Sequence, residues 1–181
     1  YGNLLQLCPQ NQPVFQVPSP QIQILRMNIL ILANKIPYPP KDGGAIATLN
    51  MALGLSDTGH RVTVLAMNTT KHYYSADQIP ETVRNKIGII TVPVKTRIQW
   101  PVLAWNFLFS KKPYNAIRFR SRLFLDKLRD LIGTEKFDLI QLEGPYMDWC
   151  LPVIREKSNA KISLRAHNLE YEIWERRSRQ S

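Results

Sequence analysis

The stretch Met27 to Ala66, MNILILANKIPYPPKDGGAIATLNMALGLSDTGHRVTVLA, decides the fold, because it holds a strand, a loop, a helix and a second strand in that order. Ile29, Leu30, Ile31, Leu32 and Ala33 form an unbroken apolar run, which suits a parallel strand covered on both faces. Pro37, Pro39 and Pro40 lack the N–H that a ladder needs, so the chain leaves the sheet there in an extended loop. The loop ends at Asp42-Gly43-Gly44, where a helix pattern begins. That helix carries Ile46, Leu49 and Leu53 on one stripe with Ala45, Ala52 and Leu55 beside it, and Asp57, Thr58 and Gly59 stop it. Val62 to Ala66 returns as a second strand, and a connection of this length between parallel strands is expected to be a right-handed crossover.

Two glycines at a helix start have a chemical reading. The first turn carries unpaired N–H groups and a partial positive charge, and the absence of Cβ lets a phosphate or sugar oxygen come close. Gly43 and Gly44 are therefore expected to form an anion-friendly corner.

Working outward, the chain of 181 residues is long enough for one medium domain, and its 44% apolar content is enough for a buried core. Residues 1–26 differ from the rest. They are rich in glutamine and proline, have no acidic residue and only Arg26 as a base, and read as an appended or disordered segment. Their apolar residues are scattered among prolines, a poor pattern for a signal peptide or a membrane helix. Met27 is the plausible natural start, and 27–181 is expected to be the domain. The formal net charge of +10 lies almost wholly on that domain and favours an anionic partner. Cys8 and Cys150 are too few for a disulfide framework or a zinc site, so a reducing compartment is the simpler reading.

Further along, Ser75 to Asn85 suggests a short surface helix, with Ile79, Val83 and Ile87 at helical spacing, and Gly88 to Val94 a third strand. Trp100 to Phe109 concentrates Trp100, Trp105, Phe107 and neighbouring aliphatic residues beside Lys111 and Lys112. It is too short to span a bilayer, and it reads either as packing on a sheet edge or as an interfacial membrane contact. Tyr114 to Gly133 reads as a helix with apolar Ile117, Phe119, Leu123, Leu128, Leu131 and Ile132. Its other face holds Arg118, Arg120, Arg122, Lys127 and Arg129, either merely solvated or turned to an anionic surface. Phe137 to Leu142 makes a fourth strand ending at Glu143-Gly144-Pro145. A helix over Tyr146 to Lys157 is expected to bend or stop near Pro152, and Lys161 to Ala166 is a fifth strand.

Ligands of an open parallel sheet sit beyond the carboxyl ends of its strands. Three polar clusters fall at such ends: Asp42-Gly43-Gly44, Glu143-Gly144 and His167-Asn168, and they are expected to converge on one pocket. The position of His167 favours a functional role over a structural one, whereas Glu143 either reaches a ligand or caps the next helix.

With these clusters placed, the chain resembles the N-terminal domain of the glycosyltransferases of family 4, retaining enzymes of GT-B fold. The matching residues are Met27-Asn28-Ile29-Leu30-Ile31-Leu32, Pro39-Pro40-Lys41-Asp42-Gly43-Gly44, the run Leu53 to Val64, Phe137 to Glu143, and Arg165-Ala166-His167-Asn168-Leu169-Glu170. The resemblance implies an α/β fold, a Rossmann-like open parallel sheet with helices on both faces. It also implies transfer of a sugar from a nucleoside-diphosphate-sugar to an acceptor hydroxyl with retention, without a metal or other cofactor. By the same likeness His167 is the catalytic candidate, contacting the transferred sugar, and Gly43, Gly44, Glu143, Asn168 and Glu170 are substrate-binding candidates.

Such enzymes face two Rossmann-like domains across a cleft, and the resemblance implies that the C-terminal donor-binding domain is absent from these 181 residues, so that the fragment alone is inactive. A role in envelope or exopolysaccharide synthesis follows as an expectation, in the cytoplasm at the inner face of the membrane, with a lipid-linked or anionic acceptor. The basic charge and the Trp100 to Phe109 segment fit that acceptor. Two alternatives stand beside it: a stand-alone Rossmann-like module binding nucleotide or phospholipid without catalysis, and a GT-B nucleotide-sugar epimerase. Nucleic acid is not expected as a partner, since the basic residues are dispersed and accompany no recognisable motif. Without G-x-G-x-x-G in the first loop, a dehydrogenase is not expected either.

Overall fold

The computed structural model of the chain describes residues 25–70, 73–94 and 120–166. Its centre is β1 (Asn28–Ala33), the apolar run that opens the domain. The proline loop follows, then α1 (Gly43–Asp57), β2 (Arg61–Thr69), a 3-10 turn over Ala76–Gln78, α2 (Glu81–Arg84) and β3 (Gly88–Val94). After residues 95–119 come α3 (Arg122–Thr134), β4 (Leu139–Glu143), a 3-10 segment over Pro145–Cys150, α4 (Leu151–Lys157) and β5 (Lys161–Arg165). The five strands are all parallel, in the order β3-β2-β1-β4-β5. In register, Ile31 lies between Val64 of β2 and Gln141 of β4.

Successive residues of β1 serve opposite faces, as the pleat requires. Leu30 and Leu32, with Leu65, Met67, Ile140 and Leu142, pack against Phe124 and Leu128 of α3 and Ile154 of α4. Ile29 and Ile31, with Val62, Val64 and Ala66, pack against Leu49 and Ala52 of α1. The fold is thus α/β, a Rossmann-like open parallel sheet with helices on both faces. The left-handed backbone of Gly59 (φ 94°) ends α1, where the His60 N–H returns to the Leu55 carbonyl at 3.1 Å.

Several expected boundaries move. The single helix over 75–85 is two short pieces, because Pro80 disfavours helical backbone at Ile79, which is extended at φ −72°, ψ 126°. The basic helix expected from Tyr114 begins, within the described residues, only at Arg122. There Ser121 is extended and its hydroxyl accepts the Phe124 N–H at 3.3 Å as an N-cap. Gly133 does not stop that helix, which runs to Thr134. The helix expected over Tyr146 to Lys157 does divide near Pro152, into a 3-10 segment ending at Cys150 and α4 starting at Leu151, so that Pro152 lies in the first turn of α4, where an N–H would be unpaired anyway. Ile46 and Leu123, both assigned to apolar stripes, are exposed at 44% and 63%. The buried face of α1 is Ala45, Thr48, Leu49 and Ala52. Among the described residues no helix is long and apolar enough to cross a membrane. The aromatic stretch with Trp100, Trp105, Phe107, Lys111 and Lys112 lies outside the described residues.

Candidate functional site

Strand order reverses at β1: the chain passes from β1 to β2 on one side, while β4 lies on the other. Where connections from adjacent strands diverge in this way, a crevice opens beyond their carboxyl ends. A cavity of about 310 Å³ lies there, lined by Asn34 and Lys35 from the loop after β1, by Gly44 and Thr48 of α1, and by Glu143 and Tyr146 at the end of β4.

The α1 corner is built by Asp42. Its backbone is extended (φ −142°, ψ 164°), and its Oδ1 accepts the Ala45 N–H at 2.9 Å, an N-cap on the first turn. The same oxygen receives the Lys35 ammonium at 2.5 Å. These contacts, Lys35 first and the Ala45 N–H second, hold the Asp42 carboxyl below its ordinary value. The two glycines have different roles in this corner. A Cβ on Gly44 would lie 3.3 Å from both Asp42 Oδ1 and Lys35 Nζ, so Gly44 leaves room for the ion pair itself. A Cβ on Gly43 would meet nothing within 4 Å, so its bareness answers no packing need. The expected anion-friendly corner therefore already holds a carboxylate, supplied by the chain.

Glu143 is the last residue of β4, beside Ala33 of β1 and Arg165 of β5 in register. Its side chain is 2% exposed. Oε2 accepts the Thr48 hydroxyl at 2.9 Å and the Arg165 guanidinium at 2.6 Å from Nη2 and 3.0 Å from Nε, and Oε1 accepts the Gln141 amide at 2.5 Å. Arg165 also donates to Thr48 Oγ1 at 3.1 Å and to the Ala47 carbonyl at 3.4 Å. A carboxylate taken from water needs such donors, and this one binds α1, β4 and β5 together at the floor of the cavity. It does not cap the following segment: Gly144 stands at that N-cap, with no side-chain bond.

Of the expected site residues, the structure brings Gly44 and Glu143 to one cavity, whereas Gly43, the first residue of α1, is not among its lining residues. His167, Asn168 and Glu170 lie outside the described residues. Four residues of the site were not singled out from the sequence: Asn34, Lys35, Thr48 and Arg165. The last two carried a signal, since a polar Glu143 inside an apolar parallel strand must find donors on neighbouring elements. Among the described residues no three His, Cys, Asp or Glu side chains form a metal-ligand group.

No protein-family model matches the chain, and no curated protein matches it. A solved structure similar to it is the C-terminal domain of a hydrogenase from Pyrococcus furiosus, at 17% identity and a TM-score of 0.50. That match covers 77% of this chain and 92% of the hydrogenase domain. At this identity the likeness speaks for the fold alone.

Proposed function

We propose that this chain is the N-terminal, acceptor-side domain of a retaining glycosyltransferase of GT-B type, which moves a sugar from a nucleoside-diphosphate-sugar to an acceptor hydroxyl. The observation that carries the reading is the cavity at the strand-order reversal, where the helix start after β1 and the Glu143-Gly144 turn after β4 face one another. Of the motifs on which the resemblance rests, Gly43-Gly44 opens the helix after β1 and Glu143 ends β4 at that edge. In this reading a second α/β domain supplies the nucleotide contacts, His167 contacts the transferred sugar, and Asn168 and Glu170 complete the substrate side. The donor is a substrate, and the reaction uses no cofactor. Its setting is envelope or exopolysaccharide synthesis at the inner face of the cytoplasmic membrane. The net charge of +10 supports an anionic, lipid-linked acceptor.

The test is transfer of labelled sugar from a panel of nucleoside-diphosphate-sugars by the natural polypeptide at its full encoded length, with membrane lipid extract as acceptor. Loss of transfer in His167→Ala with folding retained is the expected result. Unchanged transfer would remove His167 from the site, and donor consumed without any glycosylated product would replace the transferase reading with an epimerase or hydrolase.

A further inference from the structure

Among the described residues, the chain's positive charge is not free in the cavity between β1 and β4. Among the described residues lining it, the cation is Lys35, and its ammonium is held 2.5 Å from Asp42 Oδ1. Glu143 brings a second carboxylate, whose charge is met by Arg165 at 2.6 Å. The charged side chains described around the cavity thus form two closed pairs. The positive end of α1, the usual seat for a phosphate, is taken by the Asp42 carboxylate through the Ala45 N–H. An entering phosphate would meet two carboxylates and would have to draw Lys35 away from one of them.

What the cavity does offer suits hydroxyl groups. Half-buried Asn34 lines it, and its side-chain amide has no hydrogen-bond partner among the described residues, so its N–H donors and its carbonyl oxygen are uncommitted. Lys35 has further N–H donors beyond the one given to Asp42. A hydroxyl both donates and accepts, whereas a phosphate at neutral pH chiefly accepts. The volume of about 310 Å³ is at the small end for ligand pockets, which suits one ring better than a whole nucleotide-sugar.

We propose that this cavity binds a neutral, hydroxyl-rich ring of the monosaccharide class, and that Asp42 determines this specificity by occupying both the α1 start and Lys35, so that phosphate is refused. The inference deepens the transferase reading, and rests on it, by assigning this wall to the hydroxyls of a sugar and not to the donor's diphosphate.

The experiment follows the backbone amides of Asn34, Gly44 and Gly144 by two-dimensional NMR during titration of the whole chain with neutral hexoses and, separately, inorganic phosphate and pyrophosphate. At least one hexose is expected to move these amides saturably with a Kd near or below about 10 mM, while the phosphates leave them in place. Asn34→Ala should weaken the sugar about tenfold, with the rest of the spectrum showing that the fold is kept. Asp42→Asn retains a capping side chain but frees Lys35 of its counter-charge, and it should admit phosphate where the parent chain does not. Phosphate binding to the parent chain with no hexose binding would overturn the inference, as would an Asp42→Asn chain that still refuses phosphate, or no response to any ligand in the titration. Any of these could occur in a protein whose full-length form transfers sugar, so the ligand class and the transferase reading fail separately.

Discussion

The two faces of the sheet are covered by helices of opposite character. α3 buries Phe124, Leu128, Leu131 and Ile132, a set of large side chains packed onto Leu30, Leu32 and Ile140. Phe124 also meets Trp149 at a ring-centroid distance of 5.7 Å. α1 buries Ala45, Thr48, Leu49 and Ala52, mostly small groups, and the polar member ties it to Glu143. Apolar burial scales with area, so the α3 face contributes more stability per residue, and the α1 face gives up part of that gain to hold a polar network. The cavity opens beside α1 and not beside α3. Stability and site are thus assigned to different faces of one sheet.

The most damaging way to probe this division is Phe124→Ala, expected to cost about 3–5 kcal/mol by the loss of a fully buried ring and the cavity it leaves. Urea denaturation measures it, and a loss below about 1 kcal/mol would mean that the α3 face is not the principal core. Glu143→Gln leaves the Arg165 guanidinium without its counter-charge on the other face. Because the Arg165 side chain is 28% exposed, the expected loss is about 2 kcal/mol, below that of a fully buried pair. Adding Arg165→Met should recover much of that loss, and additive losses in the double mutant would break the claim that the two act as a pair.

A smaller effect belongs to the rim. The Asp42 carboxyl titrates lower in the folded chain than in the unfolded one, because Lys35 and the Ala45 N–H favour its charged form. Its contribution is therefore complete at pH above the unfolded value and is lost as pH falls through the folded value. Asp42→Asn should flatten that acid limb, lowering stability modestly at pH 7, where the contribution is complete, and leaving it almost unchanged in acid where the parent carboxyl is already protonated. An unchanged acid limb would remove the Lys35–Asp42 pair from the account. The smallest effect is at Leu123, which is 63% exposed on α3 and should tolerate replacement by Ser within about 0.5 kcal/mol. A larger loss would show that the outer side of α3 is covered after all.

Burial also decides the chemistry of Cys150. Desolvation first, and the nearby Asp148 second, push its thiol up to about 12, so the group is a packing residue and a poor nucleophile. Alkylation at Cys150, mapped by mass spectrometry, is expected to follow unfolding and not to precede it.

Much of the architecture was legible along the chain. The apolar run of β1, the prolines that end it, the Asp42-Gly43 helix start and the Gly59 stop are each set by a few adjacent residues and the backbone conformations they allow, and all hold in the structure. Errors came where two local signals competed. Ile46 and Leu123 fitted an apolar period although both are exposed. The site was legible only in part. The strand-end rule located Gly44 and Glu143, but it could not assign their partners.

By itself the sequence determined a parallel α/β sheet and the strand ends at which Gly44 and Glu143 stand, because strand and helix periods, prolines and glycines act over a few residues. Only the tertiary structure decided that the α1 start is neutralised by Asp42 and Lys35, and that Glu143 is held by Thr48 and Arg165. Thr48 is 95 residues away in the chain and Arg165 is 22. The physical reason is that a charge's meaning depends on which opposite charge the fold brings within about 3 Å of it, and that distance is set by packing between elements and not by spacing along the chain.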